Sequence, residues 1–140
     1  MRPTMAISNV VSRCLNDEPP VIYGDGAQTR DCTDIDDVVD VNRQLLTDDA
    51  TDGEIINVGS TDTIDIETLA EVIRDELAPG LELEYTNPRE ADAPHTHADI
   101  SKATQLLGYE PTRNIREGVR EFIDWYRANR EWYEPLVRKS

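Results

Sequence analysis

Helical and extended hydrophobic patterns alternate along this 140-residue chain. That alternation restricts it to the α/β class. Ile7, Val10, Val11 and Cys14 recur at the helical period. They predict a helix over residues 4–16, opened by Thr4 and stopped by Pro19-Pro20. Val21-Ile22-Tyr23 reads as a short strand closed by the Gly24-Asp25-Gly26 turn, and residues 29–33 as a second extended segment. A helix follows over 36–46, with Asp36 and Asp37 at its positive end. Ile55-Ile56-Asn57-Val58 lacks in/out alternation, so it reads as a strand buried on both faces, as in a parallel sheet. Asp65 is placed to cap a helix over 66–77 with the stripe Ile66, Leu69, Ala70, Ile73 and Leu77. An exposed strand over 81–85, a loop over 86–98, a short helix over 100–107 closed by Gly108, and a long helix over 115–133 complete the order α, ββ, α, β, α, β, α, α.

The acidity is dispersed. Asp and Glu number 29 against 14 Lys and Arg, a formal net charge of −15. Such a field repels phosphate backbones and excludes nucleic acid as a partner. No apolar run approaches the ~20 residues of a membrane span. The N-terminus lacks a charged-then-apolar leader, and Cys14 and Cys32 form no disulfide or ligand pattern, so a reducing cytoplasm is expected. Lysine occurs only at Lys102 and Lys139. Lysine depletion beside dispersed carboxylates predicts a halophilic surface, whose self-repulsion concentrated salt screens.

Several chemistries are absent from the sequence. No G-x-G-x-x-G run opens a helix, since Gly24-Asp25-Gly26 continues as Ala27-Gln28-Thr29. Neither lysine has a Tyr four residues before it, and no nucleophile-elbow motif is present. His95-Thr96-His97 has the spacing for two imidazoles on one metal, but it lies in a polar loop without a nearby Cys and reads as surface. No catalytic, cofactor or metal residues are assigned.

Separate blocks carry a family resemblance. The run from Pro20 to Asp31 resembles the P-x-x-x-G-D-G-x-Q-x-R-D block of extended short-chain dehydrogenase/reductases, the NAD-dependent sugar-nucleotide epimerases and dehydratases. Ile35-Asp36-Asp37-Val38-Val39, Asn57-Val58-Gly59-Ser60, Leu69-Ala70-Glu71, Ala98-Asp99-Ile100-Ser101-Lys102-Ala103, Leu107-Gly108-Tyr109-Glu110-Pro111, Glu117-Gly118-Val119 and Trp125-Tyr126 are similar to later family blocks, in family order.

The resemblance implies an α/β C-terminal substrate lobe over residues 1–140, without the nucleotide-binding half that carries the NAD loop and the Tyr-x-x-x-Lys pair. Residues 36–58 are then expected to pack on the Rossmann sheet of a full-length relative. Arg30 and Arg89 match the family's phosphate-holding arginines, Asp92 its ribose-side acid, and Val21, Ile22 and Tyr23 its base-pocket segment. A guanidinium fork suits phosphate oxygens. The plainer readings are a surface Arg30 paired with neighbouring aspartates, an exposed loop arginine at 89, and strand packing at Val21 and Ile22. Cys32 and Asp34 stand where the family usually carries large aromatic groups, and an acid at 34 is costly if buried and unpaired. Ala91 replaces the glycine of the family's R-x-G-D loop.

The implied ligand is a UDP-hexose and the implied cofactor NAD, with its site outside this sequence. The parent reaction is UDP-hexose 4-epimerisation, with dehydration or decarboxylation as alternatives. The chain alone is expected to be catalytically silent unless a separate Rossmann half completes it. A non-catalytic binding module and a decayed remnant are the competing expectations.

Overall fold

The computed structural model describes residues 5–90 and 92–138. Its elements are α1 (Ala6–Cys14), β1 (Val21–Tyr23), β2 (Thr29–Asp31), α2 (Ile35–Leu45), β3 (Thr63–Asp65), α3 (Ile66–Leu77), β4 (Glu84–Thr86), α4 (Ser101–Leu107) and α5 (Ile115–Arg138). They are distributed over two compact units. The first comprises residues 1–28, 65–94 and 119–140, and the second residues 29–64 and 95–118.

In the first unit α1 packs on α3. Val10, Val11 and Cys14 from α1 and Ile66, Leu69, Ala70 and Ile73 from α3 are buried, as their helical spacing predicts. Burial pushes the Cys14 thiol up to about 11, so it packs as an apolar group. The expected cap at Thr4 lies outside the described residues. Beside these helices β1 pairs in parallel with β4, with Ile22 opposite Tyr85. β4 is exposed throughout, as expected.

The N-terminus of α3 is fully satisfied. Ile66 N–H donates to the Gln28 carbonyl (3.0 Å) and Glu67 N–H to the Gly26 carbonyl (3.1 Å). Thr68 N–H donates to the Asp65 carboxylate (2.7 Å), which makes Asp65 the predicted cap. This closeness requires Gly26. Its φ is +79°, and an added Cβ would lie 2.8 Å from the Glu67 Cβ.

α5 runs farther than predicted, through Pro135 to Arg138. Continuing the helix past Tyr133 places Val137 on the same buried stripe as Val119, Ile123, Tyr126 and Tyr133. That burial outweighs the one helical bond that Pro135 cannot make. Arg130 fastens the helix to the end of α1. It bonds both Glu134 carboxylate oxygens, the Leu15 carbonyl and the Asn16 side chain.

In the second unit Val41, Ala103, Leu107 and Tyr109 form a small core, with Ile56, Val58, Ile100 and Leu106 against it. β2 pairs with β3. The strand expected at residues 55–58 does not form. Among the described residues no strand pairs with it, and Ile55 is 86% exposed. The segment nevertheless alternates, with Ile56 and Val58 turned to the core and Ile55 and Asn57 outward. It is therefore extended and buried on one side only.

The centre of this unit is the Asp31 carboxylate. It accepts from Ser60 N–H (2.8 Å), Ala98 N–H (3.1 Å) and the Thr33 hydroxyl (3.1 Å). Gly59 permits the approach, because an added Cβ would sit 2.5 Å from the Ala98 Cβ and 2.8 Å from an Asp31 oxygen. The Tyr109 hydroxyl donates to the Gly59 carbonyl (2.7 Å). Another carboxylate, the buried Asp37, accepts from the N–H and hydroxyl of Thr112. The feared cost at Asp34 does not arise. Asp34 is half-buried and caps α2, accepting from Asp36 N–H at 2.9 Å.

Two expected outcomes follow from these contacts. Gly59→Ala will lower the melting midpoint, read by circular dichroism, by an amount equivalent to about 1–3 kcal/mol as the methyl displaces Ala98 or Asp31. Asp65 gives a pH signature. The Thr68 N–H bond holds its carboxyl below the usual range. Its stabilising share is therefore full above the unfolded pKa and is lost as pH falls through the lower folded one. Asp65→Ala will cost about 1 kcal/mol at neutral pH. Asp65→Asn will keep most of the cap and flatten the acid limb of a melting-midpoint titration below about pH 4.

Candidate functional site

Of the residues singled out for binding, those on β1 and the loop after β4 belong to the first unit. Parallel pairing with β4 fixes β1, and its side chains alternate from half-buried Val21 through wholly buried Ile22 to exposed Tyr23. Ile22 is thus a packing residue, and only the backbone and its neighbours on β1 face outward. Gly24 N–H donates to the Thr86 carbonyl (2.9 Å) and the Gln28 amide to the Tyr23 carbonyl (2.8 Å), so the turn after β1 is tied on both sides.

The structure brings Tyr23 and Arg89 together. The guanidinium carbon of Arg89 stands 3.9 Å from the centre of the Tyr23 ring. Stacking of this kind attracts the cation to the ring face while its edge donors stay available. Asp92 N–H donates to the Arg89 carbonyl (3.1 Å), which folds this loop back on itself. Asp92 is exposed, and Ala91 lies outside the described residues. Tyr85 donates its hydroxyl to Glu67 beside the same strand pair, which raises the Tyr85 pKa.

Arg30 belongs to the second unit, on β2, and is half-buried. Its Nη1 donates to the Thr29 carbonyl at 2.7 Å. The same carbonyl accepts Thr96 N–H (3.1 Å), and the Thr29 hydroxyl shares a 2.9 Å hydrogen bond with His95 Nδ1. Asp31, the next residue, is the structural carboxylate already described. The sequence offered Asp31 only as part of a motif and as a neighbouring aspartate for Arg30. No local signal marks it as an anchor, because the amides it holds, at Ser60 and Ala98, are distant in the chain.

A polar cleft of about 290 Å³ also opens in this unit, lined by Cys32, residues 60–64 and residues 111–115. Cys32 is small where a large ring was expected, and the cleft lies beside it. Burial, then the Asp31 charge, raises the Cys32 pKa, so it is a thiol and not a nucleophile at neutral pH. His95 and His97 are exposed, and among the described residues no three metal-binding groups cluster.

The family model for GDP-mannose 4,6 dehydratase matches residues 2–122. UDP-glucuronate 4-epimerase of Thermodesulfobacterium geofontis is 35% identical over 136 residues, covering 96% of this chain and 42% of that protein. The solved structure of the epimerase Mth375 from Methanothermobacter thermautotrophicus superposes with a TM-score of 0.86 at 32% identity, over 97% of this chain and 40% of the other. UDP-glucuronic acid 4-epimerase from Bacillus cereus, solved with UDP-glucuronic acid and NAD, gives 0.83 at 31% identity, over 92% and 41%. The chain thus spans about two fifths of the length of these relatives.

NAD is bound in the Bacillus cereus structure, and the residues described here do not fit it. A dinucleotide needs free N–H groups at a helix start behind a glycine turn. The helix start behind Gly24-Asp25-Gly26 is that of α3, where Gln28, Gly26 and Asp65 already take the N–H groups and Glu67 adds negative charge. The matched family model, the close structural superpositions and a fold that corresponds to the C-terminal portion of extended epimerases agree. This chain belongs to the GDP-mannose 4,6-dehydratase family of NAD-dependent sugar-nucleotide epimerases and dehydratases within the extended short-chain dehydrogenase/reductases.

Proposed function

We propose that this chain is the substrate-holding part of a sugar-nucleotide epimerase and binds a UDP-hexose. The observation that carries the reading is Arg89 stacked on Tyr23 at the open end of β1. Arg30 and Arg89 are the proposed phosphate-holding residues, each suited to charged, bidentate bonds. Tyr23 covers the base, whose polar edge meets the backbone at Val21 and Ile22. Asp92 accepts from ribose hydroxyls. The relatives named as 4-epimerases favour epimerisation at C4 over dehydration or decarboxylation as the parent reaction.

The chain alone is catalytically silent, because neither lysine forms the Tyr-x-x-x-Lys pair and the α3 start is closed to NAD. We propose that a Rossmann half outside these 140 residues supplies both. Ile35 and Val39 on α2 and Leu46 just after it recur at the helical period and are exposed, and Ile55 is exposed as well. That apolar surface supports residues 36–58 as the part that packs on the nucleotide-binding sheet. The net charge of −15 with scarce lysine supports a salt-adapted cytoplasm as the working environment.

Thermal melts in molar KCl test the binding. A saturating UDP-glucose will raise the midpoint, because a ligand of the folded state alone stabilises it by ~2.7 kcal/mol at a hundredfold excess over Kd. Arg30→Ala and Arg89→Ala will each abolish most of that rise. A cooperative melt with no shift would overturn the reading in favour of a module with another partner. Lowering the KCl concentration will lower the ligand-free midpoint as screening is withdrawn. Turnover of UDP-glucose by the purified chain with NAD⁺ would overturn the claim of silence.

A further inference from the structure

α5 carries a repeat that neither the fold nor the binding proposal uses. Asp124-Trp125-Tyr126 returns seven residues later as Glu131-Trp132-Tyr133. In each copy the three side chains step outward around the helix. Tyr126 and Tyr133 are buried, Trp125 and Trp132 are 41% and 56% exposed, and Asp124 and Glu131 are exposed. The tyrosines account for the packing of α5 on its own unit, and the tryptophans project beyond it. They are the only two in the chain, and with Leu136, 50% exposed, they make an apolar stripe on a strongly acidic molecule.

The stripe is preordered. Trp132 Nε1 donates to the Asn129 side-chain oxygen (3.0 Å), and the Asn129 amide donates to the Trp125 carbonyl (2.9 Å). The Trp125 ring meets Trp132 edge-on at 5.8 Å and the buried Tyr133 edge-on at 4.9 Å. Rings held in this way lose little freedom on binding, as interface anchors require. The border of the stripe is equally defined. Three arginines of α5 are engaged within its own unit, Arg120 with Glu76, Arg130 with Glu134 and Arg138 with Glu18. Arg127, two residues after Trp125, falls on the far side of the helix from it. The charges directly beside the tryptophans are those of Asp124 and Glu131.

We propose that this face of α5 docks a basic amphipathic helix of a partner protein. A seven-residue repeat keeps one stripe turned toward a neighbouring helix, which sets the partner's form. The acidic border calls for arginine or lysine beside the partner's apolar residues, which sets its charge. A second copy brings another net charge of −15 and the same acidic border, and an anionic lipid surface is repelled likewise. The inference does not depend on the sugar-nucleotide reading.

Both tryptophans lie on the stripe, so their emission reports on this face alone. The probe is a synthetic, tryptophan-free helix of about three heptads, with Leu at a and d and Arg at e and g. Titrated into the full 140-residue chain at KCl concentrations stepped down from molar, it will shift the emission to the blue. A scrambled peptide of the same composition, and a version with Glu in place of Arg, will not. Trp132→Ala will weaken binding at least about tenfold. Asp124→Asn with Glu131→Gln will weaken it about three- to ten-fold and flatten its dependence on KCl, with the melting midpoint unchanged. Equal binding of the scrambled peptide would overturn the proposal, since net charge alone would then attract it. An unshifted emission with every peptide would overturn it too. So would a dimer in sedimentation that Trp132→Ala dissolves, because a second copy would then cover the stripe. If Trp132→Ala lowers midpoint and affinity together while the neutralised pair changes neither, the tryptophans are packing residues and the docking role is overturned.

Discussion

The Asp31 carboxylate gathers three separate stretches of the second unit, and the placement of Arg30 depends on it. Strand β2 is three residues long, too short to be held by a ladder alone. Its stability comes from one side chain that accepts from Ser60, Ala98 and Thr33. Hydrogen bonds to a charged acceptor are stronger than neutral ones, and two of these come from backbone amides. Gly59 makes the geometry possible, and Tyr109 closes it from below by bonding the Gly59 carbonyl. Arg30 projects from the residue immediately before this anchor.

The first unit solves a related problem differently. Its turn after β1 offers carbonyls to the start of α3, and that exchange satisfies both the turn and the helix. The same exchange removes the free amides that a dinucleotide requires. A glycine turn in this chain is therefore a packing device. Arg89 is pre-ordered by its Tyr23 ring and Arg30 by the Thr29 carbonyl. Each guanidinium thus has a contact that restrains it.

Much of the fold was legible in the residues. The caps at Asp65 and Gly108, the stripe of α3 and the short strand at Val21–Tyr23 were all set by local chemistry, and local chemistry can be read without knowing the partners. The family was legible too, because its blocks are short and ordered. The departures came where partners decide. Ile55-Ile56-Asn57-Val58 resembles a doubly buried strand, yet strand structure needs a neighbour and burial needs a cover, and the described residues give it only one packed side. The long helix expected to end at Tyr133 runs on through Pro135, because the side chain of Val137 is buried beyond it. Asp34 looked costly at an aromatic site, and its position before α2 turned it into a cap.

By itself, then, the sequence determined the alternation of helices and strands, the acidic composition and the membership of a sugar-nucleotide enzyme family. Those properties reside in residue type and spacing, which pattern and composition record directly. Only the tertiary structure decided that Asp31 is an anchor, that Arg89 lies on Tyr23, that the α3 start is closed, and that His95 reaches Thr29 from 66 positions away in the chain. Each is a contact between residues distant in sequence. Its energy depends on distances that loop closure and packing set, and no local pattern encodes them.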